Sequence, residues 1–504
     1  MHVLFIAAEA MPYARTGGLG ETVTSLAVAL ARAGHRVCIV LPRYRQVHLR
    51  RRAVFATHIQ VPLGARAIPC TLVREASSPL GPTLPAPVDF YFVECPTYFD
   101  RDAIYGTAEQ DYGDNAERFT ILSRAAIELA RRLQPDLIHA HDWHSALAPV
   151  LLRTQLRDDA EVGSIPVVFT IHNLGYQGIF PPEVLARLGL SWNLFRVEAL
   201  EFWGRVNFLK GALVYSDVLT TVSPSYSREI QTPEFGMGLE GVLQARAADL
   251  HGILNGIDTE RWDPRRDPVL AHPYDAEELE GKQICRAALV REFGIEHPQR
   301  PIVAMVSRLT AQKGLELVDA CMERLASLEA TLIVLGRGEA RQEEAVGRWQ
   351  HRFPQWVRCV LRYDEELAHR LIAGADLLLM PSRYEPCGLS QMHALRYGTV
   401  PLVRAVGGLK DTVTEWRAED ATGNGFVFGP FHPDALLHGM VRALENWSRP
   451  DAWRQLQRNG MAGDWSWDRA AVEYAALYQG LAPELSYRSS PRGNNLRPTE
   501  SRRI

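Results

Sequence analysis

Short apolar segments alternate with amphipathic segments along almost the whole chain. The first 42 residues show the pattern: an apolar segment at 2–8, a glycine-rich turn at 16–21 (TGGLGE), a segment with helical spacing at 22–34, and a second apolar segment at 35–42. Apolar runs of four to eight residues that alternate with helical segments predict parallel β-strands joined by helices. The predicted fold class is therefore α/β, with doubly wound parallel sheets.

The alternation occurs in two series, which a polar, proline-rich stretch separates. That stretch begins after LHGILNGID (250–258) and includes WDPRRDP and AHPYD, a composition typical of a linker. At 504 residues the chain is too long for a single hydrophobic core. Ligands of doubly wound sheets bind at the carboxyl ends of the strands. We therefore predict two Rossmann-like domains, residues 1–250 and 251–465, that face each other across a cleft.

Composition and charge exclude several classes of protein. The chain has 46% hydrophobic and 23% charged residues and no apolar run of the ~18 residues that a membrane span needs, which is typical of a soluble protein. A net charge of −4 gives no field that would attract nucleic acid or a membrane. The seven cysteines form no CxxC pair, so we expect no disulfide framework, no zinc site and a reducing cytoplasm. We expect the polar, basic tail at 484–504 to be disordered.

One carboxylate lies in the turn of the segment MPSRYEPCGLSQMHALRYG (380–398). Glu385 follows the apolar segment 376–380 and precedes a segment with helical spacing. A helix begins with unpaired backbone N–H groups and a partial positive charge, which together favour an anion at that point. Amides that hold a phosphate, next to an acid that orients hydroxyl groups, suggest an enzyme that acts on a nucleotide sugar. For Cys387 in the same turn, packing is a better interpretation than a role as nucleophile.

Two cations follow the first strand of the second series, in VSRLTAQKG. Arg308 and Lys313 lie five positions apart, at the carboxyl end of the strand. An arginine and a lysine could hold a diphosphate together, the guanidinium through two hydrogen bonds and the ammonium as a point charge. The spacing alone leaves open the alternative that both cations are solvated in a surface loop.

The segment HAHDWHS contains three histidines, His139, His141 and His144, around Asp142. Imidazole clusters bind zinc, so a metal site is one interpretation. The segment follows a strand, however, and alternation would place His139 and His141 on one face and Asp142 on the other. A site at the strand end, in which Asp142 meets a sugar hydroxyl or shapes the cleft, is favoured over a metal site.

Further polar side chains follow other strands of the first series. His172 and Asn173 stand at the end of the strand in TIHNLGYQGIF, and both side chains can donate and accept hydrogen bonds with sugar hydroxyls. A buried histidine of the core is the competing interpretation for His172. Asn255, in NGID, could be no more than a turn residue, because Asn-Gly is a common turn dipeptide.

Two other patterns do not support a site. GMGLEG (236–241) fits GxGxxG, but no strand precedes it, so it fails the context required of a dinucleotide-binding motif, and a nicotinamide oxidoreductase is not supported. Asp100 and Asp102 could hold a metal–diphosphate, but they lie in an irregular stretch.

Taken together, these segments resemble bacterial glycogen synthases and plant starch synthases, which are retaining glucosyltransferases of the GT-B fold. The resemblance extends over almost the whole chain. The segments that carry it are TGGLG, YGDNAERFTILSRAA, HAHDWHSALAP, TIHNLGYQGIF, TTVSPSYSREIQTPEFGMGLEGVL, GILNGID, SRLTAQKG, PSRYEPCGLSQMHALRYGTVP and GGLKDTV.

The resemblance implies transfer of glucose from ADP-glucose to the 4-hydroxyl at the non-reducing end of an α-1,4-glucan, with retention of the α configuration and without a metal or other cofactor. It also implies that a last helix, 466–480, returns to pack on the first domain. The implied residue roles are as follows: the distal phosphate and the departing ADP are held by Arg308 and Lys313; the glucosyl ring meets Glu385; the donor lies near Cys387 and the amides of Gly388 and Leu389; the sugar site is lined by Asp142, His172, Asn173 and Asn255; and the diphosphate is approached by Gly17 and Gly18.

One departure from the family concerns the residue before the glycine turn. The family has a lysine there, whereas this chain has Arg15, which keeps the charge but is longer and planar. Glu21, where the family usually has aspartate, is a smaller change. Arg15 is expected to bind the donor, and its presence leaves the preferred nucleotide open.

The chemistry also leaves alternatives. No pair of nucleophiles is evident, so retention suggests departure of the leaving group from the same face through an oxocarbenium-like state, with neutralisation of the diphosphate as the main catalytic effect. A related transferase that uses UDP-glucose or a small acceptor is one alternative, and a glucan-binding protein with a decayed active site is another. The sequence does not give the oligomeric state.

Overall fold

A computed structural model describes residues 1–77, 80, 86–107 and 110–481. The tail expected to be disordered, 484–504, lies outside these residues. The strands are β1 (His2–Ile6), β2 (Arg36–Pro42), β3 (Arg52–Leu63), β4 (Arg66–Glu75), β5 (Val88–Glu94), β6 (Leu137–His141), β7 (Val167–Ile171), β8 (Ile179–Phe180), β9 (Glu201–Phe202), β10 (Arg205–Asn207), β11 (Val218–Thr221), β12 (Leu250–Gly252), β13 (Ile302–Val306), β14 (Thr331–Leu335), β15 (Val357–Val360), β16 (Leu377–Met380), β17 (Val400–Arg404) and β18 (Phe426–Phe428).

The helices occupy most of the connections between these strands. They are α1 (Gly18–Arg32), α2 (Pro96–Phe99), α3 (Asn115–Leu133), α4 (Leu147–Thr154), α5 (Val184–Leu188), α6 (Phe208–Tyr215), α7 (Pro224–Glu229), α8 (Glu240–Ala245), α9 (Glu280–Phe293), α10 (Leu315–Ala326), α11 (Ala340–Arg352), α12 (Glu365–Gly374), α13 (Ser390–Arg396), α14 (Gly407–Thr412), α15 (Pro433–Trp447), α16 (Pro450–Met461) and α17 (Asp468–Gly480). No helix in the described ranges is long and apolar enough to cross a membrane.

The first large sheet has the strand order β12-β11-β7-β6-β1-β2-β5-β4-β3. Its strands from β12 to β5 pair in parallel. Every residue of β6 and β7 is buried, because helices cover both faces of the central strands. This arrangement agrees with the prediction of a doubly wound parallel sheet.

The edge of this sheet contains strands that the sequence pattern did not predict. β3 and β4 form an antiparallel hairpin, and β4 is antiparallel to β5, so the sheet is mixed at this edge. β3 is the outermost strand and exposes many of its residues. It therefore lacks the apolar run that indicates a buried parallel strand, although charged edge strands are common.

The second large sheet has the order β15-β14-β13-β16-β17-β18, and all of its pairs are parallel. β13 lies beside β16, although the two strands are far apart in sequence, so the loops after both strands emerge at the same edge. A small antiparallel sheet, β8-β10-β9, lies between elements of the first half.

The last described helix packs on the first sheet. Tyr474 and Tyr478 of α17 are buried, and the Tyr478 hydroxyl lies 2.7 Å from Nδ1 of His139 in β6. The chain thus passes from the first sheet to the second after β12 and returns through the segment between α16 and α17.

Candidate active site

The carboxyl ends of the central strands of both sheets face the same region. Four contacts join the two halves of the chain there: Asn173 Nδ2 donates to Gln312 Oε1 (3.3 Å), Arg308 Nη1 donates to the Tyr176 hydroxyl (3.3 Å), Arg15 Nη1 donates to Glu365 Oε1 (2.9 Å), and Ser223 Oγ donates to the Pro386 carbonyl (2.5 Å). The predicted site residues from 15 to 389 therefore lie around one region between the two sheets.

Lys313 and Glu385 form an ion pair in this region. Lys313 ends a short 3₁₀ turn after β13, and Glu385 lies in the turn after β16, so the neighbouring strands bring the two side chains together. The distance from Nζ to Oε2 is 2.6 Å, and the side chains are only 15% and 6% exposed. Ser382 Oγ donates a second hydrogen bond to Oε2, at 2.9 Å. Glu385 thus holds the ammonium in place and neutralises its charge.

Arg308 lies at the end of the same strand, but its contacts differ from those of Lys313. Its side chain is exposed, and its guanidinium carbon is 5.8 Å from the centre of the Tyr176 ring. The structure therefore places one predicted cation inside the site against Glu385 and the other at the opening against an aromatic ring of the first half. Arg308 carries no carboxylate partner among the described residues and is accessible to an anion.

The turn that contains Glu385 leads directly into α13. Gly388 has φ +73°, and a Cβ at this position would lie 2.3 Å from Gln391 Oε1. Gln391 Nε2 donates to the carbonyls of Cys387 and Gly388, so this buried side-chain amide fixes the shape of the turn. Leu389 lies against the glycine turn of the first half. A Cβ atom added at Gly18 would be 3.7 Å from Leu389 Cδ1.

Cys387 and Asn255 lie on the inner side of this turn. Burial raises the pKa of the Cys387 thiol, and the Asn255 backbone N–H donates to the Val222 carbonyl. The thiol therefore stays protonated, which agrees with packing and disfavours a role as nucleophile. The Asn255 side-chain oxygen is buried and has no hydrogen-bond partner among the described residues. A buried amide oxygen without a partner is available to a ligand hydroxyl.

Asp142, His172 and Asn173 form the opposing wall, at the ends of β6 and β7. Asp142 has φ +57°, and its Oδ1 accepts a hydrogen bond from the backbone N–H of His172 at 2.8 Å. Burial raises the pKa of Asp142 to about 7. Burial also lowers the pKa of His172 to about 3, so its imidazole is neutral at physiological pH. His172 and Asn173 therefore present neutral donors and acceptors, which suits sugar hydroxyl groups.

Arg15 contacts two carboxylates and extends across the gap between the two halves of the chain. Its Nη2 lies 3.1 Å from Glu21 Oε2, in α1, and its Nη1 lies 2.9 Å from Glu365 Oε1, in α12. Glu365 also pairs with Arg261, at 2.6 Å. Burial raises the pKa of Glu21. Arg15 and Glu21, the two positions that depart from the family pattern, thus contact each other.

Hydrogen bonds to the carboxylate of Glu9 fix the glycine turn. Thr16 donates from its backbone N–H and its hydroxyl to Glu9, at 2.6 and 2.7 Å, and the Tyr105 hydroxyl donates to the same carboxylate. Gly17 precedes α1, and a Cβ there would meet nothing within 4 Å. The turn therefore exposes backbone at the edge of the cleft.

Several residues of the site were missed by sequence reasoning. The Tyr384 hydroxyl lies beside Asn173 of the opposite half, where both groups are close to Gly175, and Ser382 contacts Glu385. Their positions next to Glu385 in PSRYE are a signal that could have identified them. Tyr176 and Gln312 lie inside the segments TIHNLGYQGIF and VSRLTAQKG, and Glu365 lies at the start of α12, but only contacts with Arg308, Asn173 and Arg15 reveal these three residues.

The histidine segment does not form a metal site in the structure. His139 contacts Tyr478 and Thr170, His141 contacts His172, and His144 stacks on Tyr105 at 4.8 Å between ring centres. Within the described ranges, no three His, Cys, Asp or Glu side chains are grouped so that they could hold a metal ion. Asp100 and Asp102, the other pair considered for a metal, both pair with Arg45.

Comparisons with known sequences agree with this geometry. A family model described as "Starch synthase catalytic domain" matches residues 2–245, and one described as "Glycosyl transferases group 1" matches residues 290–460. Glycogen synthase of Koribacter versatilis (strain Ellin345) is 47% identical over 480 residues, which cover 95% of this chain and 98% of that protein. Glycogen synthase of Anaeromyxobacter sp. (strain Fw109-5) is 48% identical over 486 residues, which cover 96% and 100%.

Solved structures give the same result for the fold. The catalytic domain of starch synthase IV from Arabidopsis thaliana, bound to ADP and acarbose, has a TM-score of 0.86 and 34% identity, and the match covers 95% of this chain and 99% of that chain. Sucrose-phosphate synthase from Thermosynechococcus elongatus, at 20% identity and a TM-score of 0.60, shows similarity of fold alone. The predicted GT-B fold, two Rossmann-like domains with parallel sheets, is confirmed.

Proposed function

Because the chain belongs to the family of glycogen and starch synthases, we propose that it transfers glucose from ADP-glucose to the 4-hydroxyl at the non-reducing end of an α-1,4-glucan, with retention of configuration. The observation that best supports this function is the Lys313–Glu385 ion pair, which faces neutral polar groups of the opposite domain. A cation beside a carboxylate suits a leaving diphosphate next to a hydroxyl-rich ring.

In the proposed reaction, Arg308 and Lys313 bind the distal phosphate of the donor. Negative charge grows on the diphosphate as the glycosidic bond breaks, and the two cations stabilise it most in the transition state. Glu385 lies against the glucosyl ring and orients Lys313. Closure of the two domains excludes water, which would otherwise hydrolyse the donor.

The other predicted residues bind the two substrates. The wall at the ends of β6 and β7 and the buried Asn255 oxygen form hydrogen bonds with the hydroxyl groups of glucose. The exposed backbone of the glycine turn approaches the diphosphate. The proposed sugar-binding residues are Asp142, His172, Asn173 and Asn255, and the proposed donor-binding residues are Arg15, Gly17, Gly18, Cys387, Gly388 and Leu389.

We also propose domain boundaries, which the extents of the two sheets support. We place the first domain at 1–250 and the second at 251–465, with 466–480 packed on the first; the last strand of the first sheet ends at Gly252, and the second sheet begins at Ile302. No metal is required in this proposal, because side-chain cations neutralise the diphosphate. The seven cysteines are free thiols, which supports a reducing cytoplasm as the location.

The test is a donor panel in which glycogen is the acceptor and both nucleotide release and chain extension are measured. ADP-glucose is expected to support both, UDP-glucose much less, and maltose is expected to be a poorer acceptor than glycogen. Lys313→Ala is expected to lower kcat roughly 10- to 100-fold or more, because a hydrogen bond to a charged group contributes about 1.5–3 kcal/mol.

Arg341→Ala is the matched control, since this cation lies on the exposed side of α11. A chain that releases no ADP in the presence of glycogen would be a glucan-binding protein and not a transferase. Unchanged turnover in Lys313→Ala would reject the role given to the ion pair while leaving the transferase activity in place.

A further inference from the structure

The histidines at the end of β6 make contacts that the proposed reaction does not yet use. The rings of His139 and His141 lie 4.1 Å apart, on the same face of the strand. Nδ1 of His139 contacts the Tyr478 hydroxyl at 2.7 Å, and its Nε2 contacts Thr170 Oγ1 at 2.5 Å. Both nitrogens of His139 therefore have partners, and the ring is a fixed surface against which His141 packs.

Among the described residues, His141 has one hydrogen-bond partner. Its Nδ1 lies 3.0 Å from Nε2 of His172, and its own Nε2 is buried without a hydrogen-bond partner. Burial lowers the pKa values of both His141 and His172, so each ring is neutral and carries one proton. A single proton therefore lies between the two rings, and its position determines the tautomer of each.

The unpartnered nitrogen decides where this proton lies. If His172 donated, the proton of His141 would be on Nε2, as a buried N–H group without an acceptor, which is rare because its lost hydration is not replaced. If His141 donates from Nδ1, only a lone pair remains without a partner. The proton of His172 is then on Nδ1, on the side of the ring away from His141.

We propose that His141 is a positioning residue: by donating from Nδ1 it fixes His172 as the Nδ1–H tautomer, which offers a hydrogen-bond donor to a hydroxyl group of the bound sugar. The inference rests on the proposed function for the role of His172, but the tautomer itself does not depend on that function. α17 contributes indirectly, because Tyr478 holds His139, on which His141 packs.

The tautomer is measured by nitrogen NMR of the full chain with ¹⁵N-labelled histidine, and the His172 signals are assigned by their loss in His172→Gln. A protonated Nδ1 and an unprotonated Nε2 on His172 are expected. The opposite tautomer would overturn the proposal whether or not the protein transfers glucose.

Two substitutions test the positioning role. An asparagine at 141 places an N–H group near the position of Nδ1, whereas a leucine of similar size removes it. His141→Leu is expected to lower kcat roughly 10-fold with little change in ADP affinity, and His141→Asn is expected to recover most of the loss. Equal losses in both variants, with ADP affinity lowered as well, would indicate a packing role only. If the leucine variant does not fold, the NMR measurement on the unaltered chain still decides.

A second observation concerns two cysteines at the mixed edge of the first sheet. β4 and β5 are antiparallel, with Leu72 opposite Val93 and Thr71 opposite Glu94, so the same register continued one residue past the end of β5 places Cys95 opposite Cys70. Directly opposed residues of antiparallel strands have Cα atoms about 4.5–5.5 Å apart, which is within the range that a disulfide requires. Contact with the Cys95 thiol raises the pKa of the Cys70 thiol.

Both cysteines line a cavity of about 420 Å³ together with Arg43, Arg45 and His58. The Arg45 side chain is 52% exposed, so the cavity reaches the surface. The Cys95 thiol donates to the Pro69 carbonyl at 3.9 Å, and contact with the Cys70 thiol is the main cause that lowers the pKa of Cys95. Cys95 therefore carries the larger thiolate fraction, and Cys70 is in place to react with it.

We infer that Cys70 and Cys95 form a site of reversible oxidation by a hydroperoxide. The Cys95 thiolate attacks one peroxide oxygen, the O–O bond breaks, and hydroxide or alkoxide leaves, which gives a sulfenic acid. The Cys70 sulfur then attacks the Cys95 sulfur, the S–O bond breaks, and water leaves as the disulfide forms. The peroxide is reduced by two electrons and the two thiols are oxidised by two; a dithiol reverses the change.

The experiment treats the full chain with hydrogen peroxide and measures the intact mass and the non-reduced peptides. A loss of two hydrogens, a linked peptide pair that contains Cys70 and Cys95, and reversal by dithiothreitol are expected. Cys95→Ser is expected to abolish the link, whereas Cys321→Ser, in α10, is expected to leave it unchanged. Oxidation to sulfinic acid without a link, or pairing with a different cysteine, would overturn the inference.

Discussion

In the proposed function, the Lys313 ammonium has two negatively charged partners, Glu385 and the diphosphate of the donor. The pair is largely buried, and a second hydrogen bond from Ser382 fixes the carboxylate. A diphosphate and Glu385 therefore compete for the same ammonium group. At the scale of single residues, Lys313 thus binds one of two negatively charged groups, and only Glu385 belongs to the protein.

Glu385→Gln is expected to separate catalysis from nucleotide binding. The amide keeps the shape of the side chain but removes the charge that competes with phosphate, so kcat is expected to fall by about 10-fold or more while ADP affinity stays equal or rises. Titration calorimetry with ADP and initial rates with glycogen measure the two effects. A loss of ADP affinity as large as that in Lys313→Ala would show that Glu385 does not compete with phosphate.

Asp142 gives a pH dependence of stability with a definite sign. Burial raises its pKa to about 7 in the folded protein, from an ordinary value near 3.8. Between these values the folded protein holds a proton that the unfolded chain releases, so the contribution of Asp142 to stability is largest at low pH and is lost as pH rises through 7. Asp142→Asn removes this contribution.

The difference in melting temperature between Asp142→Asn and the unaltered chain is therefore expected to shift in favour of the variant as pH rises from about 4 to 7, and to remain constant above that range. Thermal unfolding in a series of buffers measures it. A difference that does not vary with pH would mean that the carboxyl of Asp142 is ionised throughout.

At the scale of elements, the turn between β16 and α13 determines where Glu385 lies. It also sets the positions of the Gly388 and Leu389 amides, which we propose to bind the donor. Its shape depends on a left-handed residue, Gly388, and on the buried side chain of Gln391, which donates to two carbonyls of the turn and to Thr412. α13 has only seven residues, so the turn and the start of the helix move as one unit.

Gly388→Ala is expected to lower kcat by about 10-fold or more while the protein remains folded. A left-handed conformation costs an alanine about 1–2 kcal/mol, and the added Cβ displaces the Gln391 side chain. Gly347→Ala is the matched control, because this glycine lies in α11 with nothing within 4 Å of a Cβ position. Steady-state rates and circular dichroism measure both variants, and normal turnover in Gly388→Ala would show that the turn tolerates the change.

At the scale of the whole molecule, the two domains touch through polar contacts around the cleft. Arg15 joins α1 to α12, the Ser225 hydroxyl donates to Asp411, and the Glu229 carboxylate accepts from the backbone N–H of Gly407, which packs on the carbonyl of Glu385. Interfaces of this kind allow relative motion of domains. The chain also crosses between the domains twice, and α17 anchors the second crossing on the first sheet.

Arg15→Lys is expected to change the KM for ADP-glucose more than kcat. A lysine cannot hold Glu21 and Glu365 through two separate nitrogens, so the contact between the domains weakens and the cation becomes free for the donor. Because both ion pairs are partly exposed, the effect is expected to shrink at high salt. Donor KM at low and high ionic strength measures it, and an unaltered donor profile would contradict the role given to Arg15.

The sequence by itself determined the class of fold and identified most of the residues that meet in the candidate site. Strands and helices differ in the period of their hydrophobic residues, and the candidate functional side chains directly follow strands. The fold class and these side chains can therefore be read from local stretches, such as those around Lys313 and Glu385. The motifs also identified the family before any contact was known. The sequence pattern missed the β3–β4 hairpin because an exposed edge strand has no continuous apolar run.

Only the tertiary structure decided which of these segments meet. β13 and β16 are neighbours although 70 residues separate them, and this pairing alone brings Lys313 to Glu385. The contacts of Arg15 with Glu365, of Asn173 with Tyr384 and of His141 with His172 likewise join segments that are distant in sequence. The order of strands in a sheet and the docking of two domains depend on packing over the whole chain, and no local pattern of residues contains that information.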